Sequence, residues 1–205
     1  MDTRRTDGGN GFTTAGFTLI ETLLVVALIG VIGAIAVPQF SNSIGYFRIS
    51  GDARSISNAI AVTKIRAASN FSRTRLYVNR TQRWQRIEKG DTSAPTHWTA
   101  ESGVTYLSPN STFGFGPVTT PPPNTQAAID QSTACLDDLG VAIANTSCVL
   151  FNSRGTPIDN AGASIGSNAI YVTNGQSVYG VTVSATGMVR MWQTGSKATP
   201  TWVLQ

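Results

Sequence analysis

Residues 17–37 form an unbroken run of 21 residues with a single charge, Glu21. As a helix rising about 1.5 Å per residue, it spans roughly 30 Å, the hydrocarbon thickness of a bilayer. A polar, glycine-containing leader, residues 1–16, precedes it and carries Arg4 and Arg5. Cationic residues at this end favour a cytoplasmic leader. The rest of the chain then lies on the far side of that membrane from the cytoplasm. Residues 17–38 are assigned to the membrane, residues 39–72 to a continuation of the same helix, and residues 73–205 to a β-rich head.

A secretory signal places its cleavage site after the apolar run. Here the order is reversed: Gly16-Phe17-Thr18-Leu19-Ile20-Glu21 stands at the head of the run. That string resembles the class III leader of type IV pilins and type II secretion pseudopilins, and the resemblance covers residues 16–38. It implies that a prepilin peptidase cuts between Gly16 and Phe17, that the new amino terminus on Phe17 is N-methylated, and that Glu21 is the family's assembly glutamate. An uncompensated carboxylate in a membrane is costly, so an intramembrane acid marks a functional group. The amine on Phe17 of a neighbouring subunit is a suitable counter-ion. The alternative is a signal anchor whose Glu21 sits at the interface, which leaves the string unexplained. Gly30, Gly33 and Pro38 weaken helical structure, so this region is expected to bend or stretch locally. The resemblance makes Gly30 and Pro38 assembly determinants beside Phe17 and Glu21.

Beyond Pro38, Ile44, Phe47, Ile56, Ile60, Val62 and Ile65 recur at helical spacing, predicting an amphipathic continuation over residues 40–70 with Arg48, Arg54 and Arg66 solvated. After residue 70 the chain is rich in Gly, Ser, Thr and Asn and reads as β structure. Leu76, Val78, Trp84 and Ile87 flank a turn at 79–82, giving a hairpin. A short strand follows at 104–107. Residues 108–134, with Pro121, Pro122 and Pro123, form a long loop in which the prolines are extended. Strands begin at Cys148 and cover 169–173, 178–183 and 188–192. Asn174-Gly175 is a strong hairpin signal. The predicted fold class is α+β: a long N-terminal transmembrane and amphipathic helix packed on an antiparallel β-sheet head. Phe151, Arg154-Gly155, the hairpin and Gly187 ahead of a basic strand resemble the C-terminal half of the GspH/FimT family of minor pseudopilins and minor pilins. The resemblance implies a pilin-like head and a filament subunit that helps to initiate or tip a type II secretion pseudopilus or a type IV pilus. Prepilin peptidase, other pilins and the inner membrane are its implied partners.

Two cysteines, Cys135 and Cys148, lie thirteen positions apart. Outside the cytoplasm they can close a short disulfide loop worth roughly 3 kcal/mol; the alternative is a pair of reduced, buried thiols. Charge is uneven. Residues 48–89 hold ten Lys and Arg against two acids, a net of +8, whereas residues 90–205 hold three against six, a net of −3. Such asymmetry marks either a polyanion-binding face or surfaces that stack subunits. Candidate DNA contacts are Arg73, Arg75, Arg80, Arg83, Arg86, Lys89 and Arg190, with Tyr77 and Trp84 interleaved for stacking. FimT-type pilins use Gly-Arg-x-Arg for DNA uptake; here Gly187-Met188-Val189-Arg190 lacks one arginine. No catalytic constellation is visible: His97 stands by itself, and Asp137-Asp138 is too few oxygens for calcium. No enzyme activity, cofactor or metal is expected.

Overall fold

The computed structural model describes residues 16–91 and 97–205, without the side chains of 37–39, 41 and 42. The leader with Arg4 and Arg5, the side chain of Pro38 and the stretch before His97 therefore lie outside what is described. Two compact units divide the chain, Met1–Ser43 and Ile44–Gln205. The boundary falls within the helix α1 (Leu19–Ser69).

In the first unit, Leu19–Ala36 has a mean hydropathy of 2.6 and none of it is buried; it is long and apolar enough to cross a membrane. The backbone stays helical through Gly30 and Gly33.

In the second unit α1 contributes Ile49, Ala53, Ile56, Ile60, Thr63 and Ala67, all fully buried. Their alternating steps of four and three keep one face toward the core. This corrects the stripe expected from sequence. Ile56 and Ile60 are core, but Ile44, Phe47, Val62 and Ile65 are 41%, 71%, 38% and 64% exposed. The four fall on the opposite face, so the helix carries two apolar stripes that a single periodicity merges. Arg48 and Arg54 are exposed as expected, and Arg66 pairs with Glu101 at 3.4 Å.

The strands are β1 (Thr74–Asn79), β2 (Trp84–Gly90), β3 (Trp98–Ala100), β4 (Thr105–Tyr106), β5 (Thr112–Phe113), β6 (Thr146–Phe151), β7 (Pro157–Ile158), β8 (Asn168–Thr173), β9 (Ser177–Val183), β10 (Val189–Gly195) and β11 (Val203–Leu204). The expected head sheet is resolved into two. One has the order β3-β2-β1-β6-β7 with β4 also on β2, the other β11-β10-β9-β8-β5, and every pairing between these strands is antiparallel. The buried face of α1 packs on both: Leu76, Val78, Val149 and Phe151 from the first, Ile170, Val172, Tyr179, Val181 and Val183 from the second. The β1–β2 hairpin follows expectation. The β8–β9 turn does not have two residues. It has three, of which only Gly175 takes positive φ (85°), while Asn174 Oδ1 accepts from the Gln176 and Ser177 amides. An Asx turn here replaces the mirror-image turn.

Long loops before β6 cover the outer faces of both sheets. The disulfide Cys135–Cys148 joins the loop to β6 and sits with Tyr77, Leu150 and Ile158 in an outer cluster. On the second sheet Val118 packs with Ala169, Tyr171 and Val178. The loop also bonds to both sheets. Gln131 both donates to and accepts from the Tyr171 backbone at 2.9 Å, Ser132 N donates to Ala169 O at 2.8 Å, and Cys148 N donates to Thr133 O at 2.8 Å. Coverage on both sides explains why every residue of β6 and β8 is buried.

Two outcomes are expected in denaturant unfolding of the chain. Ile56→Ala costs about 2–5 kcal/mol, whereas Ile65→Ala costs within about 0.5 kcal/mol. Reduction of Cys135–Cys148 lowers stability by about 3 kcal/mol, the loop-closure value for a bridge of this span.

Candidate assembly helix and head determinants

The start of α1 is built by its own sequence. Thr18 is the N-cap: its carbonyl accepts from the Glu21 and Thr22 amides at 3.1 and 3.2 Å, and its Oγ1 accepts from Glu21 N at 3.3 Å. Thr18-Leu19-Ile20-Glu21 is thus a capping-box sequence, with Glu21 at the third helical position. The signal lies in the string itself, a threonine three residues before a glutamate at the head of an apolar run. A carboxylate in the first turn also complements the helix dipole. Gly16, Phe17 and Glu21 are exposed, Phe17 to 79%. Nothing lies within 4 Å of a Cβ built at Gly30 or Gly33.

The second sequence motif meets in space. Gly155, in the β6–β7 turn, and Gly187, in the β9–β10 turn, both take positive φ, 73° and 74°. Between them lies Lys64 of α1, whose Nζ donates to Gly187 O at 3.0 Å and, more weakly, to Thr186 O at 3.5 Å. A Cβ at Gly187 would stand 3.0 Å from Lys64 Nζ and 3.1 Å from the Gly155 carbonyl oxygen. The two glycines form a slot for the lysine, and Lys64 ties the helix to one turn from each half of the head.

The basic hairpin divides into cations that pair with Glu88 and cations that do not. Glu88, 2% exposed, receives Arg75 Nε at 2.7 Å and Arg86 Nε at 2.6 Å. Arg75 also donates to Leu136 O at 2.8 Å. Its guanidinium lies 4.1 Å over Trp98, Arg86 lies 5.3 Å over Trp84, and Tyr77 stacks on Trp84 at 5.4 Å. Burial lowers the Arg75 pKa against the pull of Glu88, and burial together with Glu88 raises that of Tyr77. The aromatic rings expected to stack on bases are thus stacked on one another and on arginines. Arg73 and Lys89 are half-buried, Arg80 is half-buried at the hairpin turn, and Arg83 and Arg190 are exposed. Arg190 lines a shallow cavity of about 300 Å³ with Arg54 of α1. His97 Nδ1 lies 3.0 Å from Asp138 at the surface, and Asp137 Oδ1 accepts from the amides of Leu139 and Val141. Among the described residues no group of three or more His, Cys, Asp or Glu is placed to hold a metal.

An apolar N-terminal helix, together with a unit in which helix packs on antiparallel sheets, defines a pilin-like α+β protein. No family model matches the chain. It is 30% identical over 99 residues to the type IV narrow pilus major component PilA5 of Thermus thermophilus, a match covering 47% of this chain and 78% of that protein. It is 54% identical over 35 residues to the type IV major fimbrial protein FimA of Dichelobacter nodosus, covering 17% of this chain and 22% of that protein. The chain thus spans about a fifth of the length of FimA. Two solved structures of the minor pseudopilin EpsH from the type II secretion system of Vibrio cholerae also match. One has a TM-score of 0.41 and 13% identity over 75% of this chain and 94% of that one; the other has 0.36 and 8% over 77% and 96%. The chain belongs to the type IV pilin family.

Gly187→Ala is expected to cost about 1–3 kcal/mol, from a non-glycine residue forced to positive φ and from the displaced Lys64. Comparing its urea midpoint with that of Ala185→Gly, in the same turn, checks the assignment: the first should fall well below the second.

Proposed function

We propose that the chain is a minor structural subunit of an inner-membrane-anchored type II secretion pseudopilus or type IV pilus, helping to initiate or tip the filament. The observation that carries this reading is uncovered apolar helix: the whole of Leu19–Ala36, and the exposed stripe of Ile44, Phe47, Val62 and Ile65 farther along α1. Exposed apolar area costs about 25 cal/mol per Å² in water. Lipid covers the first stretch before assembly, and neighbouring helices cover both afterwards. The role is structural rather than enzymatic, in keeping with relatives named as pilus and fimbrial components.

In this reading a prepilin peptidase cuts between Gly16 and Phe17, leaving a methylated amine on Phe17. The leader stays cytoplasmic and the head is periplasmic. Glu21, held in the first helical turn by the Thr18 cap, pairs with the amine of a neighbouring pilin and sets the stagger between subunits. Gly30 and Pro38 let the helix adjust as it packs.

The rival reading is a FimT-like minor pilin that captures DNA through Arg80, Arg83 and Arg190. The engagement of Arg75 and Arg86 by Glu88 favours the structural role, because two of the seven candidate cations already share a buried counter-ion.

Glu21→Ala should lower filament incorporation by about tenfold or more, the effect of losing roughly 1.4 kcal/mol of pairing. Unchanged processing together with unchanged incorporation would overturn the helix mechanism. In a deletion strain, lost exoprotein secretion with intact pili identifies a pseudopilus, and lost pili identify a priming pilin. Lost DNA uptake with normal pili and secretion establishes the rival.

A further inference from the structure

The unit Ile44–Gln205 begins within α1, so its end around Ile44 is the one tethered to the apolar stretch Leu19–Ala36. Contacts between distant segments bring several turns to that end. Asn174 Nδ2, in the β8–β9 turn, donates to Gly45 O at 3.4 Å. Thr112 pairs with Thr173 beside this turn, and Ser196 N donates to Gln176 O at 2.9 Å. Arg83 Nη1, in the β1–β2 turn, reaches Ser111 O at 3.5 Å. Arg80, in the same turn, lines an open cavity of about 430 Å³ with Phe113, Gly116 and Asn145. A Cβ built at Gly116 would stand 3.2 Å from Ser196 Oγ. One end of the head therefore gathers Arg48, Arg80, Arg83 and Lys197.

Arg48, Arg83 and Lys197 are exposed and Arg80 is half-buried, and among the described residues none of the four has an ion-pair partner. Carboxylates are spent or placed elsewhere. Asp52 is buried and accepts from Ser108, Glu88 holds Arg75 and Arg86, and Glu101 bonds Asn70 and Arg66 where α1 finishes. Apolar side chains accompany the cations, since Ile44 and Phe47 are exposed at the same end. The chain itself holds this surface near a bilayer. Twelve residues separate Arg48 from Ala36, at most about 40 Å even when fully extended. Contact with the bilayer surface is thus an intramolecular step. Anionic lipid attracts each Lys or Arg that comes within about 10 Å of it.

We propose that this end of the head docks on anionic phospholipid headgroups of the membrane that holds the apolar helix, with Arg48, Arg80, Arg83 and Lys197 against the phosphates. The proposal rests on the membrane-anchored reading of Leu19–Ala36. A lipid surface fits this end better than a nucleic acid does. Basic and apolar side chains together suit the boundary between headgroups and acyl chains, whereas Ile44 and Phe47 gain nothing from a phosphate backbone. Docking also covers part of the bare stripe of α1 until neighbouring helices replace the lipid.

A photo-cross-linking amino acid at Thr81, exposed in the β1–β2 turn, tests it. The full chain is reconstituted into vesicles of phosphatidylglycerol and phosphatidylcholine, with a short DNA duplex outside, and adducts are identified by mass spectrometry. The expected adduct is enriched about tenfold in phosphatidylglycerol over its share of the bilayer. The same label at Ala161, exposed beyond β7 toward the other end, should show no enrichment. Arg80→Gln combined with Lys197→Gln should bring the enrichment at Thr81 to within about twofold of none, without shifting thermal unfolding. No lipid adduct, capture of both lipids in proportion, equal enrichment at Ala161, unchanged enrichment in the double variant, or an adduct with the duplex instead overturns the proposal. Carbonate extraction of the same vesicles separates the two ideas. A chain that resists extraction without the enrichment loses the headgroup assignment alone, and an enriched adduct on a chain that carbonate strips removes the anchored reading alone.

Discussion

The head depends on one packing arrangement: a helix face, from Ile49 to Ala67, laid across two sheets at once. Neither sheet closes on itself, and each has an inner face of β-branched and aromatic residues that must be covered. The helix supplies small residues, Ala53 and Ala67, between large ones, Ile49, Ile56 and Ile60, so backbone and strands approach without gaps. Polar ties then hold the placement. Asp52 accepts from the Ser108 amide and hydroxyl, and Lys64 enters the slot between the Gly155 and Gly187 turns. Both act from α1, which therefore sets where the loops begin and end.

The same helix has an opposite face that the head leaves bare. An isolated globular protein would place charges there. This one places Ile44, Phe47, Val62 and Ile65, with Arg54 and Asn58 among them. A helix apolar on both sides is fit for burial on both sides. One burial is intramolecular, and the other is what the proposed assembly would supply.

The outer surface of the head is dominated by residues with few regular hydrogen bonds of their own. The loop between β5 and β6 borrows the ladders of both sheets through Gln131, Ser132 and Thr133, and the disulfide fixes it where Cys135 meets β6. Across β1 and β2, Glu88 gathers two arginines and three aromatic rings into one outer-face cluster. Such a cluster is cohesive because its central carboxylate is almost fully withdrawn from water, where charge-assisted hydrogen bonds are strong and unpaired charges are costly.

Local chemistry was legible in the sequence. The membrane-length helix, the capped string around Glu21, the β1–β2 hairpin, the order of the later strands and the proximity of two cysteines all follow from neighbouring residues. Spacing could not separate the two stripes of α1, because apolar residues on opposite faces of one helix blur its period. Composition could not show that Arg75 and Arg86 share Glu88, or that Gly155 and Gly187 meet at Lys64. These are contacts between segments far apart in the chain. The sequence by itself determined the long helix, its apolar stretch of membrane-spanning length and the longer strands, since those are set by residues within a few turns of one another; the short strands β3, β5, β7 and β11 were not legible there. Only the tertiary structure decided which apolar face is core, which cations are spent and which loop closes the sheets, because burial and pairing depend on what the folded chain brings alongside.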